Sequence, residues 1–387
     1  MMAGLLLARA GVSVRVLEKH SDFLRDFRGD TVHPSTMEIL DQLGILGPFL
    51  ERPHNRISTA RLRVAGREWA IGDLSHLETA APFIAMMPQW DFLDFLRDQA
   101  AQYPGFALEM EAPVHAIIVE GGRIAGARLA DGSERRADLT IAADGRDSIV
   151  RRERILPVET LGAPMDILWF KLPKVDDGGD ALRGSIETGR MVVLIDRDDY
   201  WQAAMIIPKG QASAVVARGM DRLREDVREA FPGMEFPAGA LVDESELHLL
   251  SVALDRLPCW SRAGLLAIGD AAHAMSPIGG VGINLAIQDA VAAANVLAAP
   301  LARGEDIDPV LHRVQDRRLL PTRLVQAGQR AFQDRVIGAV LGGRKPIEQA
   351  PLVLRLLDRY PMLRRIPGRM IGLGIRRERV RSPNAYA

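Results

Sequence analysis

The stretch "LLAIGDAAHAMSPIGGVGINLAIQDA" (Leu265–Ala290) decides the fold. An apolar run ends at Gly269 and Asp270, a glycine-rich loop follows, and a long alanine-rich helix is predicted from about Val281 to Ala299. An apolar strand that leads through glycines into a helix is typical of a parallel α/β sheet, which binds ligands at the carboxyl ends of its strands. Asp270 is therefore expected at that edge, where a carboxylate accepts hydrogen bonds from sugar hydroxyl groups.

The loop of this stretch is predicted to receive part of a ligand. Gly279, Gly280 and Gly282 permit close approach to the backbone immediately before the helix. The first turn of a helix offers free N–H groups and partial positive charge, which favour an anionic group. The alternative is a turn between strand and helix in which the glycines serve geometry alone.

The first twenty residues, "MMAGLLLARAGVSVRVLEKH", predict the same architecture. An apolar helix ends at Gly11, and apolar residues then alternate along a strand that leads to Glu18. The first helix and second strand of a dinucleotide-binding βαβ unit have this pattern.

The stretch "ADLTIAADGRDSIVRRE" (Ala137–Glu153) places a second carboxylate, Asp144, at the end of an apolar run, and Ser148 is positioned to cap the next helix. From Pro113 to Asp144 we expect an antiparallel meander of three short strands, "VHAIIVE", "IAGARLA" and "ADLTIAAD". Residues 164–256 carry further strands, notably "DILWFKLP", "MVVLIDR" and "YWQAAMIIP", which suggest the sheet of a second domain.

Composition narrows the class of protein. The chain has 387 residues, 48% of them hydrophobic, and a formal net charge of -1, so nucleic-acid binding is not expected. The single cysteine, Cys259, excludes an intramolecular disulfide and cysteine-based zinc chemistry, and it fits a reducing cytoplasm. No metal site, signal peptide or membrane span is predicted, because no apolar run reaches roughly 18 to 20 residues.

The order "LLLARAGVSVRVLEK", "AADGRDSIVR" and "AIGDAAHAMSPIGGVGINLAIQDA" resembles the single-component FAD-dependent aromatic hydroxylases, the para-hydroxybenzoate hydroxylase-like flavoprotein monooxygenases. The resemblance covers nearly the whole chain. It implies an α/β fold with a Rossmann-like FAD-binding domain, an inserted α+β substrate domain and a helical C-terminal region. The expected ranges are 1–55, 85–160 and 258–300 for the FAD-binding domain, 56–84 and 161–257 for the substrate domain, and 301–387 for the helices.

The same resemblance implies the cofactor-binding residues. Glu18 would bind the adenosine ribose, and Arg28 and Gln89 would approach the diphosphate and ribityl regions of FAD. Asp144 and Gly145 fall on a motif that the family links to both FAD and NAD(P)H. The remaining positions follow the ribityl chain and the isoalloxazine ring: Gly269, Asp270, Pro277, Gly279, Gly280, Gly282, Ile283 and Asn284.

The family's G-x-G-x-x-G loop lies about 20 residues before the ribose-binding acid. Counted back from Glu18, the first glycine of that loop falls upstream of Met1. We therefore expect Met1 to be an internal methionine of a longer reading frame. A chain that begins at Met1 is expected to lack the loop that receives the FAD diphosphate.

The resemblance also implies a reaction. NAD(P)H reduces FAD, O2 adds to the flavin, and the resulting flavin hydroperoxide hydroxylates a small aromatic or polycyclic substrate. No residue is assigned as catalytic, and His273 is expected either as a hydrogen-bonded structural residue or as a proton carrier near the flavin. The substrate is expected to contact the second sheet, where four side chains either line an aromatic pocket or form plain core: Trp169, Met191, Trp201 and Met205.

Alternatives to this hypothesis remain open. The same scaffold suits a flavin-dependent reductase or a halogenase, although the halogenase W-x-W-x-I-P signature is absent. A flavin-free binding module is a third interpretation. The arginine-rich segment 355–381 fits a solvated helical face, a homodimer contact, a membrane surface or an acidic ligand.

Overall fold

The computed structural model describes residues 1–24, 31–174, 182–197, 199–234, 243–342 and 350–387. Arg28, one of the predicted cofactor residues, lies outside these ranges. Within them the α-helices are α1 (Met2–Arg9), α2 (Pro34–Gln42), α3 (Leu46–Leu50), α4 (Gln89–Ala100), α5 (Ile149–Arg152), α6 (Ala212–Val216), α7 (Met220–Ala230), α8 (Gly282–Ala302), α9 (His312–Phe332), α10 (Gly338–Leu341), α11 (Leu352–Arg359) and α12 (Arg365–Leu373).

The strands fall into several sheets, and the mixed α/β class expected from the sequence is confirmed. They are β1 (Val14–Leu17), β2 (Thr31–Val32), β3 (Asn55–Ile57), β4 (Thr59–Val64), β5 (Arg67–Asp73), β6 (Ile84–Met86), β7 (Phe106–Glu109), β8 (Val114–Glu120), β9 (Arg123–Leu129), β10 (Glu134–Arg136), β11 (Thr140–Ala142), β12 (Glu159–Thr160), β13 (Met165–Pro173), β14 (Leu182–Glu187), β15 (Arg190–Asp196), β16 (Tyr200–Pro208), β17 (His248–Leu250), β18 (Asp255–Arg256), β19 (Ser261–Arg262) and β20 (Leu265–Ala267).

Two pairs of parallel strands form the part of the fold that carries the glycine motifs. β1 pairs in parallel with β7, and β11 pairs in parallel with β20, with Ala142 opposite Ala267. Side chains from both pairs and from the helices α1 and α8 meet in one apolar cluster that includes Val14 and Ile141. The two parallel pairs therefore lie beside each other under shared helices, as parallel strands require in order to cover their apolar faces.

The antiparallel meander differs from the prediction in its third strand. β8 and β9 form the expected hairpin, but the strand that follows them is β10, within the segment expected to be a turn. β11, taken from the sequence as the third meander strand, instead lies parallel to β20. The reason is burial: Leu265, Leu266 and Ala267 of β20 are fully buried and need a neighbouring strand, and β11 provides it.

The largest sheet among the described residues has seven strands in the order β17, β13, β16, β15, β14, β4 and β5. One face, here called the outer face, packs against α6 and α7 through side chains such as Leu168, Leu194 and Val227. The other, here called the inner face, packs against the rest of the molecule through Ile167, Trp169 and other apolar residues.

α8 is the central helix of the fold. The segment Ile278–Ala302 is long and apolar enough to cross a membrane by length and composition, so the expectation that no run reaches this length was wrong. However, 61% of its apolar window is buried inside the protein, and its residues belong to the largest apolar cluster. α8 is therefore a core helix of this fold.

The helix α12 rests against the strand β5 at a position where only glycine fits. A Cβ atom added to Gly368 would lie 1.9 Å from the carbonyl oxygen of Asp73. By contrast, Gly328 in the middle of α9 has no atom within 4 Å of its added Cβ. The contact between α12 and β5 therefore depends on the absence of a side chain at Gly368.

The substitution Gly368→Ala should lower the free energy of unfolding by more than about 2 kcal/mol, because the methyl group forces α12 away from β5. The matched variant Gly328→Ala should raise it by about 1 kcal/mol, because alanine favours an exposed helix interior. Urea unfolding followed by circular dichroism measures both. Equal effects of the two substitutions would contradict the close contact.

Candidate functional site

Two predicted carboxylates meet at one edge of the parallel strands. β11 and β20 run side by side in register, so the segments that follow them, with Asp144 and Asp270, leave the sheet at the same end. Arg146, two residues after Asp144, lies with its Nη2 3.8 Å from Oδ2 of Asp270. The structure thus brings the two sequence motifs together, as expected for carboxyl ends of adjacent parallel strands.

Asp270 keeps an accessible carboxylate. Its side chain is 36% exposed and makes no hydrogen bond with any described residue. Burial of the group raises the pKa of Asp270, while Arg146, His273 and Arg151 oppose that rise. A partly exposed carboxylate with no hydrogen-bond donor among the described residues is suited to accept hydrogen bonds from ligand hydroxyl groups.

Asp144 serves the local fold as well as the site. Its Oδ2 accepts a hydrogen bond of 2.9 Å from the backbone N–H of Ile149, at the start of α5. Ser148, which the sequence suggested as the cap, makes no side-chain capping bond, so that expectation was wrong. Gly145 has a φ of +83° and open space where a Cβ would stand, so a glycine suits this turn.

The glycine loop between β20 and α8 contains three distinct environments. Gly280 is packed: an added Cβ would lie 2.3 Å from Oγ1 of Thr31, whose hydroxyl donates to the Gly280 carbonyl at 2.9 Å. Gly279 has a φ of +79° and only Val281 nearby, and Gly282 has only Met275 and the Asp270 carboxylate near 4 Å. Gly279 and Gly282 therefore leave room for a ligand, while Gly280 holds the loop in place.

Asn284 joins the loop to the segment that precedes α2. Its Oδ1 accepts bonds from the backbone N–H of His33 at 2.9 Å and from Oγ1 of Thr36 at 2.8 Å. Its Nδ2 donates to the carbonyl oxygens of Thr31 and Gly280. The side chain is buried and fully engaged, so within this fold it holds the start of α8 against β2. A direct contact between its side chain and the cofactor stays a prediction.

A buried ionic network supports the Gly269–Asp270 turn from below. Asp289 of α8 is fully buried, and its Oδ2 accepts from the backbone N–H of Gly269 at 3.0 Å and lies 2.6 Å from Nε2 of His273. Its Oδ1 accepts from Nε of Arg318 at 2.9 Å. Burial alone would raise the pKa of Asp289, but His273 and Arg318 hold it below its ordinary value.

His273 therefore has a structural role in this fold. Its ring is 1% exposed, bonded to Asp289 and packed against Trp260 with ring centroids 5.0 Å apart. Of the two roles expected from the sequence, the geometry is that of the hydrogen-bonded structural histidine.

The remaining predicted residues lie on other elements. Glu18 follows β1, and its Oε1 accepts the backbone N–H of His20 at 3.0 Å. Gln89 is the first residue of α4 and is half-buried. Pro277 and Ile283 flank the glycine loop, Pro277 before it and Ile283 in the first turn of α8. Their contacts with a cofactor stay predictions.

The inner face of the seven-stranded sheet approaches the glycine loop. Ile278 of the loop packs into the apolar cluster of that face, which contains Trp169 and Met191. Trp201 and Met205 instead belong to the cluster on the outer face, against α6 and α7. Of the four side chains, Trp169 and Met191 share a cluster with Ile278, while Trp201 and Met205 have the second role expected from the sequence, that of core residues, on the outer face.

His33 lies where the loop meets α12. Its ring is fully buried, and Nδ1 lies 2.8 Å from the carbonyl oxygen of Ile371, so Nδ1 carries the proton as donor. Nε2 is buried and has no hydrogen-bond partner among the residues that the structure describes. Burial lowers the pKa of His33 to about 4, although the bond to Ile371 opposes this. Nε2 is therefore an unprotonated acceptor at neutral pH.

The arrangement fits the cofactor that the resemblance implied. Asp270 offers a carboxylate that accepts no hydrogen bond from the described residues and has Arg146 nearby. Gly279 and Gly282 leave open space, and the first N–H groups of α8 have no partner inside the helix. These groups suit the ribityl hydroxyls of FAD and the electron-rich edge of its ring. The glycine loop thus lies between the edge formed by β11 and β20 and the apolar inner face of the seven-stranded sheet. This arrangement fits the flavoprotein monooxygenases that the sequence resembles.

Comparison with known proteins identifies the family. A family model described as "FAD binding domain" matches residues 1–327. The chain belongs to this family. It is 32% identical over 384 residues to 6-methylpretetramide 4-monooxygenase of Streptomyces rimosus. The matched stretch covers 98% of this chain and 90% of that relative. It is 28% identical over 320 residues to 6-hydroxynicotinate 3-monooxygenase of Pseudomonas fluorescens. Here the matched stretch covers 76% of this chain and 79% of that relative.

Solved structures share the fold. Aklavinone-11 hydroxylase, in a complex with FAD and aklavinone, matches with a TM-score of 0.74 and 22% identity over 91% of this chain and 70% of that one. The p-nitrophenol 4-monooxygenase of Pseudomonas putida DLL-E4 matches with a TM-score of 0.74 and 20% identity over 96% and 92%. With the family and the relatives, the chain is a FAD-dependent aromatic monooxygenase, an oxidoreductase.

Several residues of the site were missed from the sequence. Thr31, His33 and Arg318 join the site only through contacts with distant segments, for which the sequence has no local signal. Asp289 did carry a signal: a carboxylate within an almost wholly apolar helix requires a buried partner. Arg146 was visible next to Asp144, but its approach to Asp270 depends on the pairing of β11 with β20.

The buried neutral His33 should make stability depend on pH. Its pKa of about 4 in the folded state lies below the ordinary 6.5, so the unfolded state binds this proton first as pH falls. The free energy of unfolding should therefore drop by about 3 kcal/mol more in the wild type than in His33→Asn between pH 7.5 and pH 4.

Urea unfolding at a series of pH values measures this difference, and asparagine keeps a donor toward Ile371. The control His312→Asn changes an exposed histidine and should follow the wild-type curve. Parallel curves for the wild type and His33→Asn would contradict a buried neutral histidine.

Proposed function

We propose that this protein hydroxylates a polycyclic aromatic substrate, with NAD(P)H as reductant and O2 as oxidant. In the proposed reaction one oxygen atom replaces a hydrogen on the aromatic ring as a hydroxyl group, and the other leaves as water. NAD(P)H supplies two electrons and, with one proton, balances the reaction. The observation that carries the proposal is the contact between Ile278 of the glycine loop and the inner face of the seven-stranded sheet.

This contact sets the cofactor loop against an apolar surface. Trp169, Met191 and Leu250 of the inner face share one cluster with Ile278, so a planar aromatic molecule held there would lie beside the loop and away from water. FAD, when bound, supplies the redox chemistry, and the oxygen-activation route implied by the family resemblance is part of the proposal.

The protein's own residues have defined tasks in this scheme. With FAD bound, Asp270 would accept hydrogen bonds from its ribityl chain, and the first turn of α8 would stabilise negative charge at the edge of its ring. His33 is assigned no contact with the substrate, because its ring is fully buried; its bond to Ile371 joins the segment before α2 to α12.

The proposed substrate class rests on similarity. The Streptomyces relative is named for 6-methylpretetramide, and one solved structure holds aklavinone. The proposal is therefore a fused-ring phenol rather than a single ring. Action in the cytoplasm is part of the same proposal, and the exposed thiol of Cys259 fits a reducing compartment.

An oxygen electrode and an NAD(P)H absorbance assay test this function on FAD-loaded protein with a panel of fused-ring and single-ring phenols. We expect a fused-ring phenol to stimulate NAD(P)H oxidation at least about tenfold, with equal O2 consumption and a hydroxylated product by mass spectrometry. Asp270→Ala should lose this activity with its FAD, while Asp147→Ala, an exposed neighbour in the same region, should keep it.

Some outcomes would contradict this function. NAD(P)H oxidation without O2 consumption would favour the reductase alternative. Failure of every phenol to stimulate oxidation by a flavin-loaded protein would overturn the proposed substrate class.

The two faces of the sheet allow a second test with matched substitutions. Trp169→Phe alters the inner face and should raise the KM for the aromatic substrate by about fivefold or more, because it removes ring contact beside the loop. Trp201→Phe alters the outer face and should leave KM unchanged. Steady-state kinetics measure both, and equal changes in KM would contradict the position of the substrate on the inner face.

A further inference from the structure

The C-terminal helices expose an unusual number of apolar side chains. They lie on α11, on the 3₁₀ turn Pro361–Arg364 and on α12, and they are between 41% and 72% exposed. This set is called the C-terminal patch: Leu352, Val353, Leu356, Tyr360, Met362, Ile366 and Met370. Scattered exposed apolar residues are normal, but seven of them within residues 352–370 mark an interaction surface.

α11 buries only part of its apolar face. Leu354 packs into the cluster around Trp69 and Val340, which attaches the helix to β5. Leu352, Val353 and Leu356 lie on the side of the helix that faces away from Leu354 and remain in solvent. Because one side of α11 already packs against its own protein, the exposed apolar residues on the other side indicate contact with a further partner.

The charge around the patch is strongly positive. Residues 352–370, which carry the patch, contain five arginines and one acidic residue, a net charge of +4. The acidic residue, Asp358, pairs with Arg67 and Arg364. Arg355 and Arg369 are exposed and make no ion pair within the described part of the chain.

We propose that the C-terminal patch binds the surface of an anionic lipid membrane. Apolar side chains flanked by arginines are the composition of helices that lie in the membrane interface, where the apolar residues enter the acyl region and the guanidinium groups bind lipid phosphates. This inference concerns where the enzyme works and is independent of its substrate. It concerns a peripheral contact, since α8 is buried in the core.

A second copy of the chain is the less favoured occupant. A two-fold interface would place the same surface on both sides, so the arginines of one copy would face those of the other. Repulsion between like charges opposes that contact, whereas an anionic lipid surface attracts the same charges. Charge complementarity therefore selects the membrane.

Co-sedimentation of the full chain with vesicles tests the proposal. The vesicles are phosphatidylcholine alone or an equimolar mixture with phosphatidylglycerol. We expect at least about tenfold stronger binding to the anionic vesicles, which weakens as salt increases. The double variant Leu356→Glu, Ile366→Glu should lose this binding by about tenfold or more, and Arg355→Gln, Arg369→Gln should weaken it.

The control Val119→Glu, Leu249→Glu changes two equally exposed apolar residues outside the patch and should bind as the wild type does. All these residues are exposed, so thermal unfolding should be unchanged in every variant. Equal binding to both vesicle types, or unchanged binding by Leu356→Glu, Ile366→Glu, would overturn the proposal. So would a dimer in sedimentation equilibrium that this variant dissociates, because the patch would then be a contact between copies.

Discussion

The carboxylate of Asp289 is the interaction on which the site depends. It lies at the centre of the molecule with no exposed surface, and it joins the Gly269 backbone, His273 and Arg318. A buried carboxylate is costly unless charged partners and hydrogen bonds surround it, so these contacts form together or not at all. The Asp289 carboxylate of α8 thus holds together the turn that contains Asp270 and, through Arg318, the helix α9.

Around this centre, the fold assembles a site from distant segments. The parallel pairing of β11 and β20 sets Asp144 and Asp270 at one edge, and Asn284 then holds the glycine loop against the segment before α2. The loop in turn presents Ile278 to the inner face of the seven-stranded sheet. The glycine loop and the inner face are therefore parts of one packed unit, so a change in the buried network should reach both.

Much of the fold could be predicted because its signals are local. The helix α1 ends before Gly11, and β13, β15 and β16 lie within the apolar runs that indicated them. The sequence could not decide between alternatives where the local pattern of apolar and polar residues carries no information. β16 is buried on both faces, so its sequence has no alternation to show that Trp201 points away from the loop.

The same limit applied to β11, whose partner is far away in sequence, and to His33, whose role depends on Ile371. The partners of parallel strands are far apart in sequence and are selected by packing in the folded protein. A short sequence motif holds no information about them. The residues with specific local chemistry, Asp144, Asp270 and the glycines, could be named as candidates from the sequence, and their contacts with the cofactor stay predictions. The residues that hold them in place could not be named, apart from His273.

The most direct test is the affinity of Asp289→Asn for FAD, measured by flavin fluorescence alongside the wild type. This nearly isosteric change removes the buried charge and leaves every group that faces the cofactor. The structure predicts at least about tenfold weaker FAD binding in a variant that circular dichroism shows to be folded, because the Gly269–Asp270 turn loses its support. FAD binding equal to that of the wild type in the folded variant would contradict the account.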